Sequence, residues 1–453
     1  MLKATKIDAT QGPILKLIIL YTIPLILSTL VQSLFNAVDI VVLGNMADSA
    51  AVASVGATTA IVHLIVNTFV GLSNGTKIIL TRQIGARDRE GVQKTVDTSL
   101  ISACVGGFLI MIVGMILSAP ILNWTNCPSD CFDGALVYLR LYMLAAPAVL
   151  VYNYGSAILR ASGDTQRPLY YILACGLLNV ILNIVLCLIL PQKVAAVAIA
   201  TAASQYLGAV LVVRRLCRSN DICRTVLSRL RWCTSTFLHI MRYGLPVAFT
   251  QALYPLSNLQ IQTAVNSFEV AGIAGSSAAT TVDTLSSSCI SALGTTTMAF
   301  IGQNLGAENH DRVKKSFKTC LLLNFCIGLT TGLFFYCTGR FWLRMILGND
   351  LAAIEYAMIK MGFVTRFGAI SALNAILSNA IQAFGYPSLT TVSSVACVFG
   401  VRTFWMQFIY PHFQTFEWLM ACFTTTWILL LIVHLLFFGV IYARYKKGVY
   451  RRI

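Results

Sequence analysis

The chain has 453 residues, of which 57% are hydrophobic and 11% charged, and its mean hydropathy is +0.76. A soluble domain carries roughly 25% charged residues, so this chain cannot coat a water-exposed core and a soluble globular protein is excluded. The net charge of +16 would suit a nucleic-acid partner, but its placement along the chain, taken up below, excludes one.

Apolar runs of bilayer-spanning length recur from end to end. Twelve spans are predicted, at 15–43, 53–79, 95–118, 136–158, 168–190, 194–213, 238–264, 272–300, 317–338, 352–380, 388–410 and 417–441. The first run is too long for the apolar core of a signal peptide and is expected to be a retained helix. With the N-terminus placed inside, the inside segments together with the span ends that adjoin them hold 25 of the 33 Lys and Arg, and the outside loops hold only Lys193, Arg340 and Arg344. Lys77, Arg140, Lys360, Arg366 and Arg402 lie within spans. This asymmetry puts both termini in the cytoplasm, and the basic charge is an orientation signal. Anionic headgroups are the expected neighbours of the basic cluster at 214–242.

Span 1 carries Pro24 and a polar stripe, Ser28, Gln32, Asn36 and Asp39, spaced as one helix face. Asp39 stands out, because a carboxylate in an apolar helix costs at least about 2.5–3.5 kcal/mol and is usually kept for ion or proton work. A proton and a metal cation compete for such a group, which is enough to couple two fluxes. The plainer reading is that Asp39 reaches headgroup water or pairs with a basic side chain. Span 2 contains Gly71-Leu72-Ser73-Asn74-Gly75-Thr76, which lacks the Lys-Ser/Thr of a phosphate loop and reads as close helix packing. Arg140, Lys77 and Arg402 are expected to snorkel from span ends. Span 5 carries Asn179 and Asn183 one turn apart, and span 6 carries Thr201. If these helices face span 1, their oxygens form a pocket suited to a hard cation such as Na⁺.

The second half repeats the first. Pro24 and Asn36 recur as Pro246 and Asn258, and Gly85-Ala86 recurs as Gly306-Ala307. Six spans per half give both halves the same orientation, so the expected symmetry is a pseudo-two-fold axis along the membrane normal. The predicted lobes are 1–213 and 238–453. They are joined by a basic linker at 214–237, expected either as an interfacial helix or as a solvated loop. Span 7 has its own stripe of Gln251, Tyr254, Asn258 and Gln262. One stripe could be interhelical bonding, but two symmetric stripes favour a wet cavity. Asp283 in span 8 is a further cavity candidate. Lys360 and Arg366 could pair with Glu355 or Asp283. Pro24, Pro147, Pro246 and Pro255 permit kinks, with Pro24 as the expected hinge.

Most of the fourteen cysteines lie in spans and behave as small apolar residues, while Cys127 and Cys131 share one outside loop in which a local disulfide is open to them. The five histidines are scattered, and no metalloprotease, P-loop or nucleophile-elbow signature is present. No enzyme activity and no cofactor beyond a coupling ion are expected.

Four stretches carry a family resemblance over about residues 12–440: Val38-Asp39-Ile40-Val41-Val42-Leu43-Gly44; the glycine-rich stretch of span 2 with Gly85-Ala86; Leu159-Arg160-Ala161-Ser162-Gly163-Asp164; and Gly302-Gln303-Asn304-Leu305-Gly306-Ala307. In these the chain resembles the MATE family, multidrug and toxic compound extrusion transporters, and looks most like its bacterial DinF-like branch. The resemblance implies an all-α polytopic membrane protein in two six-helix lobes in the bacterial cytoplasmic membrane. It implies export of organic cations or amphiphiles by alternating access, driven by H⁺ or Na⁺. A monomer is expected. By the same resemblance Asp39, Asn179 and Thr201 match the family's N-lobe cation site. That site often has a second Asp where this chain has Asn183, which favours H⁺. A lipid-linked precursor flippase of the same superfamily is the alternative, kept open by Lys360, Arg366 and Arg402. A channel or membrane enzyme is the remotest reading.

Overall fold

The computed structural model describes residues 6–46, 49–125 and 127–448, though not the side chains of Asn36, Asp39 and several neighbours in the first two helices. Every regular element among the described residues is helical. Long apolar sequences rich in Leu, Ile, Ala and Val satisfy their backbone polar groups internally only as helices when water is absent.

The first half comprises α1 (Ile14–Met46), α2 (Ser49–Gly85), α3 (Arg89–Trp124), α4 (Ser129–Leu144), α5 (Ala146–Ala161), α6 (Gln166–Ile189) and α7 (Lys193–Arg218). The second comprises α8 (Thr234–Val265), α9 (Val270–Gly306), α10 (His310–Cys337), the short α11 (Gly339–Leu347), α12 (Leu351–Phe363), α13 (Gly368–Ala383), α14 (Pro387–Ser394), α15 (Val401–Phe404) and α16 (Phe416–Lys446). The pairs α4/α5 and α12/α13 are each one predicted span, bent by 47° and 46°. Pro147 sits in the first turn of α5 and explains the first bend. The second has no proline, and its break falls at residues 364–367. Among the described residues, eight helices are apolar and long enough to cross a bilayer, or ten counting each bent pair as one span. The remaining two predicted spans are α8 and α9. At 32 and 37 residues they are long enough, but Ser, Thr and Gln make them too polar to face lipid on all sides. On α3 the exposed Val105, Phe108, Leu109, Ile112, Val113, Ile116 and Leu117 recur at helical spacing, which is a lipid-facing stripe of a multi-pass membrane protein.

The repeat seen in the sequence has a backbone counterpart. After α2, Arg87 takes a left-handed conformation with φ of 56°, and after α9 Glu308 does so with φ of 52°. The next residue then caps the following helix. Asp88 accepts from the Gly91 N–H, and Asn309 accepts from the Arg312 N–H. Gly163 and Gly385 end α5 and α13 at φ of 90° and 83°, a conformation that glycine adopts without strain.

By contact the helices form two compact units. One comprises residues 6–8 and Ile23–Ala248, and the other comprises Ala9–Thr22 with Phe249 onward. The lobes read from sequence divide the chain by repeat, whereas these units divide it by contact. The two divisions part company over the first turns of α1 and α8. The contact boundary in α1 falls one residue before Pro24, and in α8 two residues after Pro246.

Within the first unit, α2 crosses the start of α8 at glycines. A Cβ at Gly75 would stand 2.4 Å from the Ile240 carbonyl oxygen, and one at Gly71 would stand 2.3 Å from the Ala248 Cα. The glycine-rich stretch is therefore a helix contact, as its sequence suggests. The basic linker is neither an interfacial helix nor a free loop. It is held to the first unit by Asp221, which pairs with Lys6 at 3.5 Å and Arg215 at 3.2 Å. It is also held by Thr225, whose hydroxyl donates to Asp97 at 3.0 Å. Between the end of α7 at Arg218 and the start of α8 at Thr234 it forms one short 3₁₀ turn, Leu227–Arg229.

Candidate functional site

The three predicted pocket residues on spans 5 and 6 do meet. The Asn183 amide donates to the Asn179 carbonyl oxygen at 3.2 Å, and the Asn179 amide donates to Thr201 Oγ1 at 3.4 Å. Asn179 and Asn183 are 6% and 0% exposed, so this is an interior polar chain between α6 and α7. Adjacent turns of one helix place the two amides in line, and the Ala-rich surface of α7 lets it approach closely. The described donor set is neutral: two amides and a hydroxyl. Their oxygens suit a hard cation, with the charge left to another group.

Asp39 and Asn36 lie on α1, but their side chains fall outside the described residues. The path of α1 is clear one turn earlier. The Phe35 ring covers Gly176 so closely that a Cβ there would be 2.0 Å from its Cδ2 and Cε2. α1 therefore meets α6 one turn before Asn179. On the same helix Ser28 satisfies its hydroxyl within α1. It is buried, and its hydroxyl donates to the Pro24 carbonyl at 2.7 Å. Gln32 is exposed.

The span 7 stripe is only partly gathered. Asn258 accepts from Arg402 Nη1 at 2.8 Å, and Tyr254 packs against Cys397, Val398 and Leu430. Gln251 is half-buried on α8, and Gln262 turns to Asn266 at the helix end, 3.0 Å away. Asp283 is elsewhere. It accepts from Thr365 Oγ1, in the α12/α13 break, and from Ser287, both at 3.2 Å.

Four basic residues depart from expectation. Lys360 forms no ion pair with Asp283 or Glu355. It donates instead to the Ser276 carbonyl at 3.0 Å, to Ser276 Oγ at 2.9 Å and to Thr280 Oγ1 at 2.7 Å. Glu355 pairs with Arg340 at 2.8 Å, and Arg366 lies over the Tyr336 ring at 5.6 Å. Lys77 and Arg402 do not snorkel, since each is 2% exposed; Arg140 is exposed as expected. Hydropathy cannot distinguish a long side chain reaching outward from one enclosed by neighbouring helices, which is why Arg402 escapes a reading by sequence. Lys360, Arg366 and Arg402 thus have separate partners, and no shared pyrophosphate cradle is formed among them. Cys127 and Cys131 are free thiols.

Two repeats of bilayer-length helices, with an interior polar chain in the first, define a multi-pass membrane protein. The family profile described as MatE matches residues 24–185 and again 246–405, once per repeat, and the chain belongs to that family of transporters and is not an enzyme. It is 24% identical over 407 residues to the probable multidrug resistance protein YoeA of Bacillus subtilis, covering 88% of this chain and 87% of that one. Its fold matches a crystal structure of MATE in complex with MaL6, with a TM-score of 0.90, 19% identity and coverage of 99% and 100% of the two chains. It also matches a MOP superfamily transporter from Pyrococcus furiosus, described by the reverse polarity of its binding pocket, with a TM-score of 0.85, 19% identity and coverage of 99% and 100%.

Proposed function

We propose that the protein is a cation-coupled antiporter that exports organic cations or amphiphilic drugs by alternating access. The observation that carries this reading is the buried chain Asn183–Asn179–Thr201, with α1 seated by Phe35 one turn from it. Asp39 follows Phe35 by one turn on α1, and it supplies the charge that the neutral amides lack. H⁺ is the favoured coupling ion, because a single carboxylate among neutral oxygens binds Na⁺ weakly. Arrival of the cation at Asp39 reshapes α1 around Pro24 and lowers affinity for the drug, which leaves outward. The relatives' names, probable multidrug resistance protein and multidrug export protein, support the substrate class. Gln32, Asn36, Gln251, Tyr254, Asn258, Gln262 and Asp283 are the cavity candidates. The protein acts as a monomer in the bacterial cytoplasmic membrane with both termini inside, as the distribution of Lys and Arg supports.

The test is ethidium transport in proteoliposomes under an imposed pH or Na⁺ gradient, comparing wild type with Asp39→Asn. Gradient-driven transport that the substitution abolishes is expected, and the effective gradient names the ion. Transport unaffected by the substitution would remove the coupling role of Asp39.

A further inference from the structure

The second compact unit buries a guanidinium for which it supplies no counter-ion. Arg402 is 2% exposed. Its Nη1 donates to Asn258 Oδ1 at 2.8 Å and Ser257 Oγ at 3.3 Å, and its Cζ stands 4.6 Å from the centre of the Phe423 ring. Ser257 in turn donates to the Val398 carbonyl at 3.2 Å. All these partners are neutral. No carboxylate lies within ion-pair distance among the described residues. The opposite edge of the fork has no acceptor there either: Nε is buried without a partner, and Nη2 makes no hydrogen bond.

An arginine does not neutralise itself by losing its proton. A guanidinium enclosed in an apolar protein without an anion is strongly unfavourable, and intramembrane charges are paired or serve a transported species. The Nε/Nη2 edge is the one that matches an oxyanion through two parallel hydrogen bonds. The local backbone is also unusual. Arg402 lies on α15, between two π-helical turns, Val395–Gly400 and Trp405–Ile409. Such turns cost helix stability and recur at functional sites.

The repeat sharpens the point. Pro168 lies in the first turn of α6 and Pro387 opens α14, and Asn183 and Arg402 each stand fifteen residues after them. Where the first half carries a neutral amide in its oxygen-lined pocket, the second half carries a fixed positive charge beside Asn258.

We propose that the Nε/Nη2 edge of Arg402 is an oxyanion site, taking the carboxylate of an organic amphiphile against the apolar surface of the second unit. The site goes beyond the antiport reading and does not depend on Asp39. The probe is radiolabelled 1-naphthoate, measured by equilibrium binding to the purified full-length protein, with sodium chloride as a second arm. Saturable naphthoate binding is expected, weakened roughly tenfold or more by Arg402→Met, and by less in Arg402→Lys, which keeps the charge but loses the fork. The binding assay uses no ion gradient and reads no transport, so failure of the antiport reading and failure of this one are separable. Naphthoate should raise the melting temperature of the wild type and not that of Arg402→Met. Without ligand, Arg402→Met should melt no lower than wild type, because it removes an uncompensated charge. Equal naphthoate binding by wild type and Arg402→Met, or none by wild type, would overturn the proposal. So would a site that takes chloride and not naphthoate.

Discussion

The Phe35 ring lies against the bare Cα of Gly176, and this contact sets where α1 meets α6. A Cβ at Gly176 would come within 2.0 Å of the ring, a clash that requires the helix or the ring to move. Gly176→Ala is expected to destabilise the protein by about 1–3 kcal/mol through overpacking and to impair coupled transport. Adding Phe35→Leu, which trims the ring while keeping an apolar contact, should recover part of both, as read by thermal melting and ethidium transport. A single variant that melts and transports like wild type would show that α1 does not depend on this contact.

Asn183 occupies a fully buried place in which its amide donates to Asn179. Asn183→Asp keeps the shape and adds a second carboxylate to the one proposed for Asp39. The pocket should then favour Na⁺, and transport should gain a Na⁺ dependence. The check is the Na⁺ titration of ethidium transport at constant pH. An unchanged Na⁺ response would place Asn183 outside the ion's reach.

Two positions with positive φ should respond in opposite directions. Arg87 is a non-glycine residue at φ of 56°, and Arg87→Gly relieves strain that exceeds the entropy cost of glycine, a gain of roughly 0.5 kcal/mol. Gly163 has φ of 90°, and a Cβ there would lie 1.9 Å from the Ile7 carbonyl oxygen. The Ile7 N–H also donates to the Gly163 carbonyl at 3.1 Å, so Gly163→Ala should detach the N-terminal segment and lower the melting temperature. Limited proteolysis ahead of α1 would report that detachment, and an unaltered cleavage rate would contradict it.

Outside the spans, two cysteines of the linker should differ sharply in reactivity. Hydrogen bonds from Ser235 and Thr236, with Lys94 nearby, bring the Cys233 thiol down to about 7. Burial pushes Cys223 up to about 12. The thiolate is the reactive form, so labelling of Cys233 by iodoacetamide should rise roughly tenfold from pH 6 to pH 8 and then level off. Cys223 should stay unlabelled throughout. Peptide mass spectrometry against a Cys233→Ser control separates the sites. A Cys233 rate still climbing in proportion to hydroxide at pH 9 would mark an ordinary thiol.

The sequence by itself determined the helical class and the repeat. Apolar length, the paired prolines Pro24 and Pro246, and the echoed Gly-Ala turns report on backbone requirements that are local to each segment, so both were legible, whereas the breaks within α4/α5 and α12/α13 came with the tertiary structure. Pattern also singled out Asn179, Asn183 and Thr201, and the close packing of α6 on α7 joins them in one hydrogen-bonded chain. Tertiary structure decided the fate of the long charged side chains. Lys360 turned to the hydroxyls of Ser276 and Thr280, Arg402 turned inward to Asn258, and Asp283 was left to Thr365 and Ser287. A flexible four- or five-atom side chain can reach outward to headgroups or inward to a neighbouring helix from the same position. Only the packing of that neighbour, set by residues more than a hundred positions away in the case of Arg402 and Asn258, selects between the two.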